Sequence, residues 1–193
     1  MTEEEIIHGC LRHDRNCQRM LYEQYFGKMI NVGIRYAKNL NEAKEILHNA
    51  FKNIFSQLKH FADSNAKRKI DEPAVSVEDW IKKLVIESAV VHMHNNKREY
   101  FVSSTVNARE AEKPSSAEIT DEQIISSADT NAVVQALQQL SPSYRAVYNM
   151  HEVDEFSHSE ISKLLDISES TSRDNLSKGK FNLRKNLTRM ISK

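Results

Sequence analysis

Glycine and proline are scarce in this chain, at four and three residues out of 193. Turns with positive φ and rigid kinks draw on those two residues. A sandwich of many short hairpins, a collagen-like repeat and a Gly-rich nucleotide loop are therefore disfavoured, and long helices are favoured. Cysteine is equally thin. Cys10 and Cys17 stand seven apart and flank a helix break at Asp14. That spacing is no Cys-x-x-Cys motif, and two thiols make no stapled framework. They read as reduced thiols on helices. Long hydrophobic runs are missing too. The strongest, Leu84-Val85-Ile86, is stopped by Glu87, far short of the ~18 residues of a membrane span. The acidic stretch Met1 to Ile7 lacks the basic-then-apolar plan of a signal peptide. A cytoplasmic protein without membrane insertion is expected.

An excess of charge of either sign is absent as well. Lys and Arg number 27 against 27 Asp and Glu, a formal net charge of zero. That balance argues against a uniformly basic nucleic-acid binder, although a whole-chain sum hides local asymmetry. Charged residues at 28% and apolar ones at 39% are compatible with a packed core. The length suits one domain or two small ones.

What the chain does have is helical periodicity. Thr2 with Glu5 reads as a capping box opening a short first helix. Asp14 can cap a second, running to about Lys38, with Tyr22, Tyr25, Phe26, Met29 and Ile30 among its apolar residues. Asn41 caps a third with a nearly ideal stripe: Ala43, Ile46, Leu47, Ala50, Phe51, Ile54, Phe55 and Leu58. Ser76 with Asp79 starts a fourth, whose stripe is Trp80, Ile81, Leu84, Val85, Ser88 and Ala89. Residues 62–75 are polar, hold Pro73 and read as a loop. Residues 99–130 are acidic and rich in Ser, Ala and Thr, with Pro114, and read as a flexible linker.

The remainder forms a compact pattern. Residues 131–140 make an amphipathic helix. Ser141-Pro142 places a capping residue and an N1 proline at the next start. Ser157 with Glu160 gives a further capping box before Ile161, Leu164 and Leu165. Ser168 caps the last helix, which keeps Leu176, Leu183, Leu187 and Ile191 on one side. Two short helices joined by a tight turn, the second basic, describe a helix-turn-helix. The expected fold is all-α: a helical domain over 1–98, a linker over 99–130 and a helix-turn-helix domain over 131–193.

Charge concentrates at the end. Residues 173–193 hold seven Lys and Arg against Asp174 alone, a net of +6. Winding at 100° per residue sets Ser172, Leu176, Gly179 and Leu183 on the packed side. Thr171, Asp174, Asn175, Lys178 and Lys185 then face outward. Lysines there can neutralise phosphates, while Asn, Thr and Arg can reach base edges in a major groove. A solvated helix end in a protein interface is the competing reading of the same charges.

Two stretches, in order, resemble one family. LSPSYRAVYNMHEVDEFSHSEISKLLDISESTSRDNLSKGKFNLRKNL, from Leu140 to Leu187, is similar to the fourth domain of bacterial RNA polymerase sigma factors. LYEQYFGKMINVGIRYAKNLNEAKEILHNAFKNIFSQLKHF, from Leu21 to Phe61, resembles their second-domain helices, and WIKKLVIESAVVHMHNNKR, from Trp80 to Arg98, the continuation. The closest group is the extracytoplasmic-function (ECF) type, which keeps only those two domains. The resemblance implies a protein that is not an enzyme, binds core RNA polymerase and opens promoters with binding energy. It implies as partners the clamp of the largest polymerase subunit, the flap of the second-largest, promoter DNA and an anti-sigma factor.

Site residues carry over by position. Glu45, His48, Asn49 and Lys52 on the third helix would meet the clamp; His48 and Asn49 stand where the family usually has Gln and Glu. His94, Asn95, Lys97 and Arg98 would meet the minus-ten element, with Glu87 and Val91 departing from the usual residues of that helix. Lys67, Arg68 and Lys69 lie in a loop longer than the family's and would touch the DNA backbone there, or else belong to a solvated loop. Ser170, Thr171, Arg173, Asp174, Asn175 and Lys178 would read the minus-thirty-five element. Asp166 replaces the usual turn Gly, which Asp tolerates in a left-handed conformation. Asp174 would accept from a cytosine amino group or sit there by accident.

No cofactor or metal is expected. His92 and His94 lie about 200° apart around a helix, while His151 and His158 fall on different predicted helices and read as isolated. No Ser/His/Asp set comes with a nucleophile turn, so no catalytic residue is assigned. A degenerate sigma-like regulator, binding protein partners without opening promoters, is the alternative. Asn49, Glu87 and Val91 favour it and the basic last helix opposes it. A two-domain response-type regulator would need a βα receiver pattern, which the sequence lacks.

Overall fold

The computed structural model describes residues 1–67, 75–96 and 129–191. Every regular element among them is helical. The chain divides into two compact units, Met1–Ile34 with Leu40–Ala89, and Arg35–Asn39 with Val90–Lys193.

In the first unit, α1 (Glu3–Leu11) opens on the reciprocal Thr2/Glu5 capping box. The chain turns at His13, whose φ is 60°. Asp14 then starts α2 (Arg15–Tyr36): its Oδ1 accepts from the Asn16 and Cys17 amides at 2.8 and 3.2 Å. Leu21, Tyr25, Met29 and Val32 recur at helical spacing and are buried. Tyr22, Phe26 and Ile30 border that stripe and are only half-buried. Tyr25 donates its hydroxyl to the Glu3 carboxylate. Burial first, and then Glu3, hold that phenol well above its usual pKa.

The next helix, α3 (Leu40–Ala66), buries Ala43, Ile46, Leu47, Ala50, Phe51, Ile54, Leu58 and Phe61. It begins at Leu40, ahead of the expected cap Asn41, and it runs through residues 62–66, which were expected in a loop. The cause of the extension is tertiary. Phe61 stacks on Trp80 at 4.3 Å between ring centroids, and Asn65 donates to the Val75 carbonyl at 2.9 Å. Those contacts outweigh a locally polar composition. Helix α4 (Val77–Asn95) is capped by Ser76, whose Oγ accepts from the Asp79 amide at 3.0 Å. Beyond the expected stripe it also buries Ile86, Val90 and Met93.

Both cysteines are buried and free. Burial is the main reason that the Cys10 thiol is pushed up to about 11, with Cys17 and Asp14 adding to it.

The second unit contains α5 (Thr130–Gln138), α6 (Pro142–Tyr148), a single π-helical turn over Asn149–Val153, α7 (His158–Leu165) and α8 (Glu169–Ile191). Helix α8 packs on α5, α6 and α7. Pro142 opens α6 as expected, but Ser141 makes no side-chain cap; its hydroxyl turns inward. Gly179 lies where α8 meets α6. A Cβ there would lie 3.2 Å from the Tyr144 carbonyl oxygen, a tight contact, so glycine eases the close approach of the two helices.

Buried polar residues hold this unit. Arg145, 1% exposed, donates through Nε to the Tyr36 carbonyl and through Nη1 to the Gln138 carbonyl, both at 3.1 Å. Asn149 donates to the carbonyls of Arg35 at 2.8 Å and Arg145 at 2.9 Å. The Asp154 carboxylate accepts from Arg35 at 3.1 Å and from the Tyr36 hydroxyl at 2.7 Å. Its side chain is 1% exposed. Burial and Asp154 raise the Tyr36 phenol well above its usual range. Pairing with Arg35 offsets part of the cost of burying the Asp154 charge.

Candidate nucleic-acid interface

The helix-turn-helix is built by two caps and one left-handed residue. Ser157 and Glu160 form a reciprocal capping box at the start of α7. Asp166 ends α7 at φ 54° and ψ 50°, the left-handed conformation anticipated for it. Glu155 reaches a similar φ of 59° before α7, without a sequence signal to announce it. Ser168 then caps α8, its Oγ accepting from the Thr171 amide at 3.0 Å. The Ser170 and Thr171 hydroxyls each lie 2.8 Å from the same Oγ.

The expected packed side of α8 is packed: Ser172, Leu176, Gly179 and Leu183 are all buried. Ser170, Thr171, Arg173, Asp174, Lys178 and Lys185 are exposed, and Asn175 is half-buried. Helical winding thus brings the minus-thirty-five candidates onto one outward strip, with an anionic group, Asp174, among them. Arg173 is paired with Glu169 one turn earlier at 2.9 Å. Both side chains are exposed, so releasing Arg173 to a phosphate or base costs at most about 1 kcal/mol. Glu169 is a further residue of this strip, signalled in the sequence by its i, i+4 spacing to Arg173. Lys180 pairs with Glu152 at 2.9 Å.

Thr171 and Asn175 also line a cavity of about 270 Å³ within the second unit, together with Met93, His94, Tyr144 and Leu165. His94, a minus-ten candidate, therefore shares that cavity with two minus-thirty-five candidates. Its Nε2 lies 3.4 Å from the Leu164 carbonyl oxygen. Asn95 is exposed, and so is Val91. Glu87 is half-buried.

On α3, Glu45, His48, Asn49 and Lys52 are exposed opposite the apolar stripe, at the i, i+3, i+4, i+7 spacing that makes one strip. Lys67 is exposed in the turn after α3. Arg68, Lys69, Lys97 and Arg98 lie outside the described residues, as does residues 99–128 of the expected linker.

The histidines differ from expectation. His151 and His158 are not isolated: their rings stack at 4.4 Å between centroids with 24° between planes. The π turn carries one and α7 the other, so separation along the sequence concealed the pair. His92 bonds locally to Asn96. Among the described residues, no group of three or more His, Cys, Asp or Glu is placed to hold a metal ion, and no helix is long and apolar enough to cross a membrane.

Comparison with known proteins places this geometry. Residues 130–181 match the family model for sigma-70, region 4, which spans α5 through the first half of α8. Residues 130–181 thus form a helix-turn-helix that matches sigma-70, region 4. The whole chain is 23% identical to the ECF RNA polymerase sigma factor SigW of Bacillus subtilis (strain 168) over 192 residues, covering 97% of each protein. Its fold is similar to that of the sigma factor RpoE from Bartonella quintana, solved in complex with the anti-sigma factor NepR. That likeness has a TM-score of 0.50 and 15% identity over 88% of this chain and 96% of the other. Over its whole length the chain is thus similar to an ECF RNA polymerase sigma factor, with the sigma-70, region 4 match confined to residues 130–181.

Proposed function

We propose that the protein is a promoter-specificity subunit that binds core RNA polymerase and directs initiation by reading minus-ten and minus-thirty-five elements. The observation that carries this reading is the coincidence of the region 4 match with a helix-turn-helix whose second helix turns a polar strip holding Arg173, Lys178 and Lys185 outward. In this reading residues 1–98, 99–130 and 131–193 act as polymerase-binding domain, linker and minus-thirty-five domain. Glu45, His48, Asn49 and Lys52 meet the clamp of the largest subunit, and the flap of the second-largest subunit is a further polymerase contact. His94, Asn95, Lys97 and Arg98, with Lys67, Arg68 and Lys69, meet minus-ten DNA. Ser170, Thr171, Arg173, Asp174, Asn175 and Lys178 meet the minus-thirty-five element. An anti-sigma partner, like the one bound to the Bartonella quintana protein, holds the factor inactive.

The division of labour follows from charge. Lys178 and Arg173 supply sequence-independent attraction to phosphates, while Asn175, Thr171 and Asp174 offer the donors and acceptors that tell bases apart. With net zero charge over the whole chain, free protein gains little from random DNA, and polymerase supplies the remaining hold on the promoter. The factor performs no covalent step; strand opening draws on binding energy.

Run-off transcription with purified core polymerase on a promoter selected with the holoenzyme tests this. Lys178→Ala is expected to weaken binding about equally on all sequences and to lower the slope of log affinity against log salt by about one. Failure to associate with core polymerase at micromolar concentration refutes the reading. Core binding without promoter opening would instead identify the degenerate regulator.

A further inference from the structure

The stacked histidines sit at the point where α7 meets α8. His151 Nδ1 lies 2.9 Å from the Phe156 carbonyl oxygen. A carbonyl only accepts, so that nitrogen carries the proton and Nε2 of neutral His151 has the lone pair. His158 Nδ1 lies 2.9 Å from the Ser172 hydroxyl. Ser172 is fully buried and stands between Thr171 and Arg173, two of the residues read above as contacting DNA. The imidazole–hydroxyl bond thus ties the start of α7 to the first turns of the recognition helix.

Charges around the pair are already committed. On the π turn, Glu152 is 3.8 Å from His151 Nε2 but is paired at 2.9 Å with Lys180 of α8. Also on α8, Glu169 is paired at 2.9 Å with Arg173. On α7 itself, Glu160 is engaged by the capping box at Ser157. A first added proton can be shared with the Glu152 side; a second meets carboxylates that are already engaged, Glu169 by Arg173 and Glu160 by the capping box. Two imidazolium rings with centroids 4.4 Å apart would repel across a partly dry gap.

We propose that the His151–His158 stack is a proton-sensitive clamp on the recognition helix. With at most one ring charged, His158 is a positioning residue that holds Ser172 and aligns the DNA-facing strip; a second proton separates the rings and weakens minus-thirty-five binding. This rests on the reading of α8 as the minus-thirty-five reader. The direction agrees with the titration of His158, lowered from its ordinary 6.5 by burial first, then by His151 and Arg173. A histidine whose pKa is lowered on folding stabilises the folded state fully above the unfolded value, and that stability is lost as pH falls through the folded one.

The test uses the full chain and the variant His151→Phe, which keeps an aromatic ring and removes one titrating group. Histidine ring resonances are followed by NMR from pH 8 to pH 5, and promoter affinity of the reconstituted holoenzyme is measured over the same range. The wild type is expected to show two coupled titrations, the His158 step below 6.5, with resonances of Ser172 and its neighbours moving at the second step. Its promoter affinity is expected to fall on the order of tenfold per linked proton and pH unit, and the variant to lose most of that fall. Independent titration of the two rings overturns the clamp, as does an acid-induced loss that persists undiminished in the variant. Absence of promoter binding at pH 7.5 refutes the minus-thirty-five reading instead. If the variant does not fold, the wild-type titration alone decides whether the rings are coupled and whether Ser172 follows them.

Discussion

The two compact units are stabilised by different chemistry. The first is an apolar core: Leu21, Ile46, Leu47, Ile54, Leu58 and Ile81 are fully buried, and the Phe61–Trp80 stack closes one end. The second has its own apolar residues but threads Arg145, Asn149, Ser172 and the Asp154 carboxylate through its interior. Dispersion and area burial are tolerant of small shifts, and each large buried aliphatic side chain contributes about 1.5–3 kcal/mol. A buried polar network holds one geometry and fails steeply when a partner is lost. The unit with the helix-turn-helix is therefore the one whose arrangement is set by direction-dependent bonds.

The contrast can be broken most forcefully at Asp154. Asp154→Ala leaves the Arg35 guanidinium and the Tyr36 hydroxyl without their carboxylate, an expected loss of about 3–5 kcal/mol. Trp80, the single tryptophan, lies in the first unit, so its fluorescence midpoint in urea should stay while the far-UV circular dichroism transition splits. A common shift of both signals would show that the units do not differ in this way. The reciprocal change, Ile54→Ala, leaves a cavity in the apolar core and should cost about 2–4 kcal/mol. Here the Trp80 midpoint should move first. Smallest is Ser157→Ala, which removes one capping box in the second unit and is expected to cost about 1 kcal/mol; a fall above 3 kcal/mol in thermal or urea unfolding would mean that Ser157 belongs to the polar network.

The same contrast explains how much was legible in the sequence. Caps are local, so Thr2/Glu5, Asp14, Ser76, Ser157 and Ser168 all act as their spacing indicates. Apolar stripes are periodic, so the buried side of α3 and the packed side of α8 were readable too. The end of α3 was not, because Phe61 and Asn65 find their partners across a turn. Arg145, Asn149 and Asp154 gave no signal, because each has a partner at Arg35 or Tyr36, more than 100 residues earlier in the chain. A polar side chain looks the same in sequence whether it faces water or a distant carbonyl. Of the candidate site, the outward side of α8 followed from winding and the residues on α3 from the family resemblance; the Glu169–Arg173 pair was legible in its i, i+4 spacing, while the histidine stack needed coordinates.

The buried thiols have a practical consequence for watching this protein at work. With Cys10 pushed up to about 11, its thiolate fraction at neutral pH is on the order of one in ten thousand, and Cys17 is shielded beside it. Maleimide reagents should pass both by under native conditions. A single cysteine introduced on the outer strip of α3 or of α8 would then carry a fluorophore in an otherwise wild-type background, allowing distances across a working holoenzyme to be followed without first stripping the native cysteines.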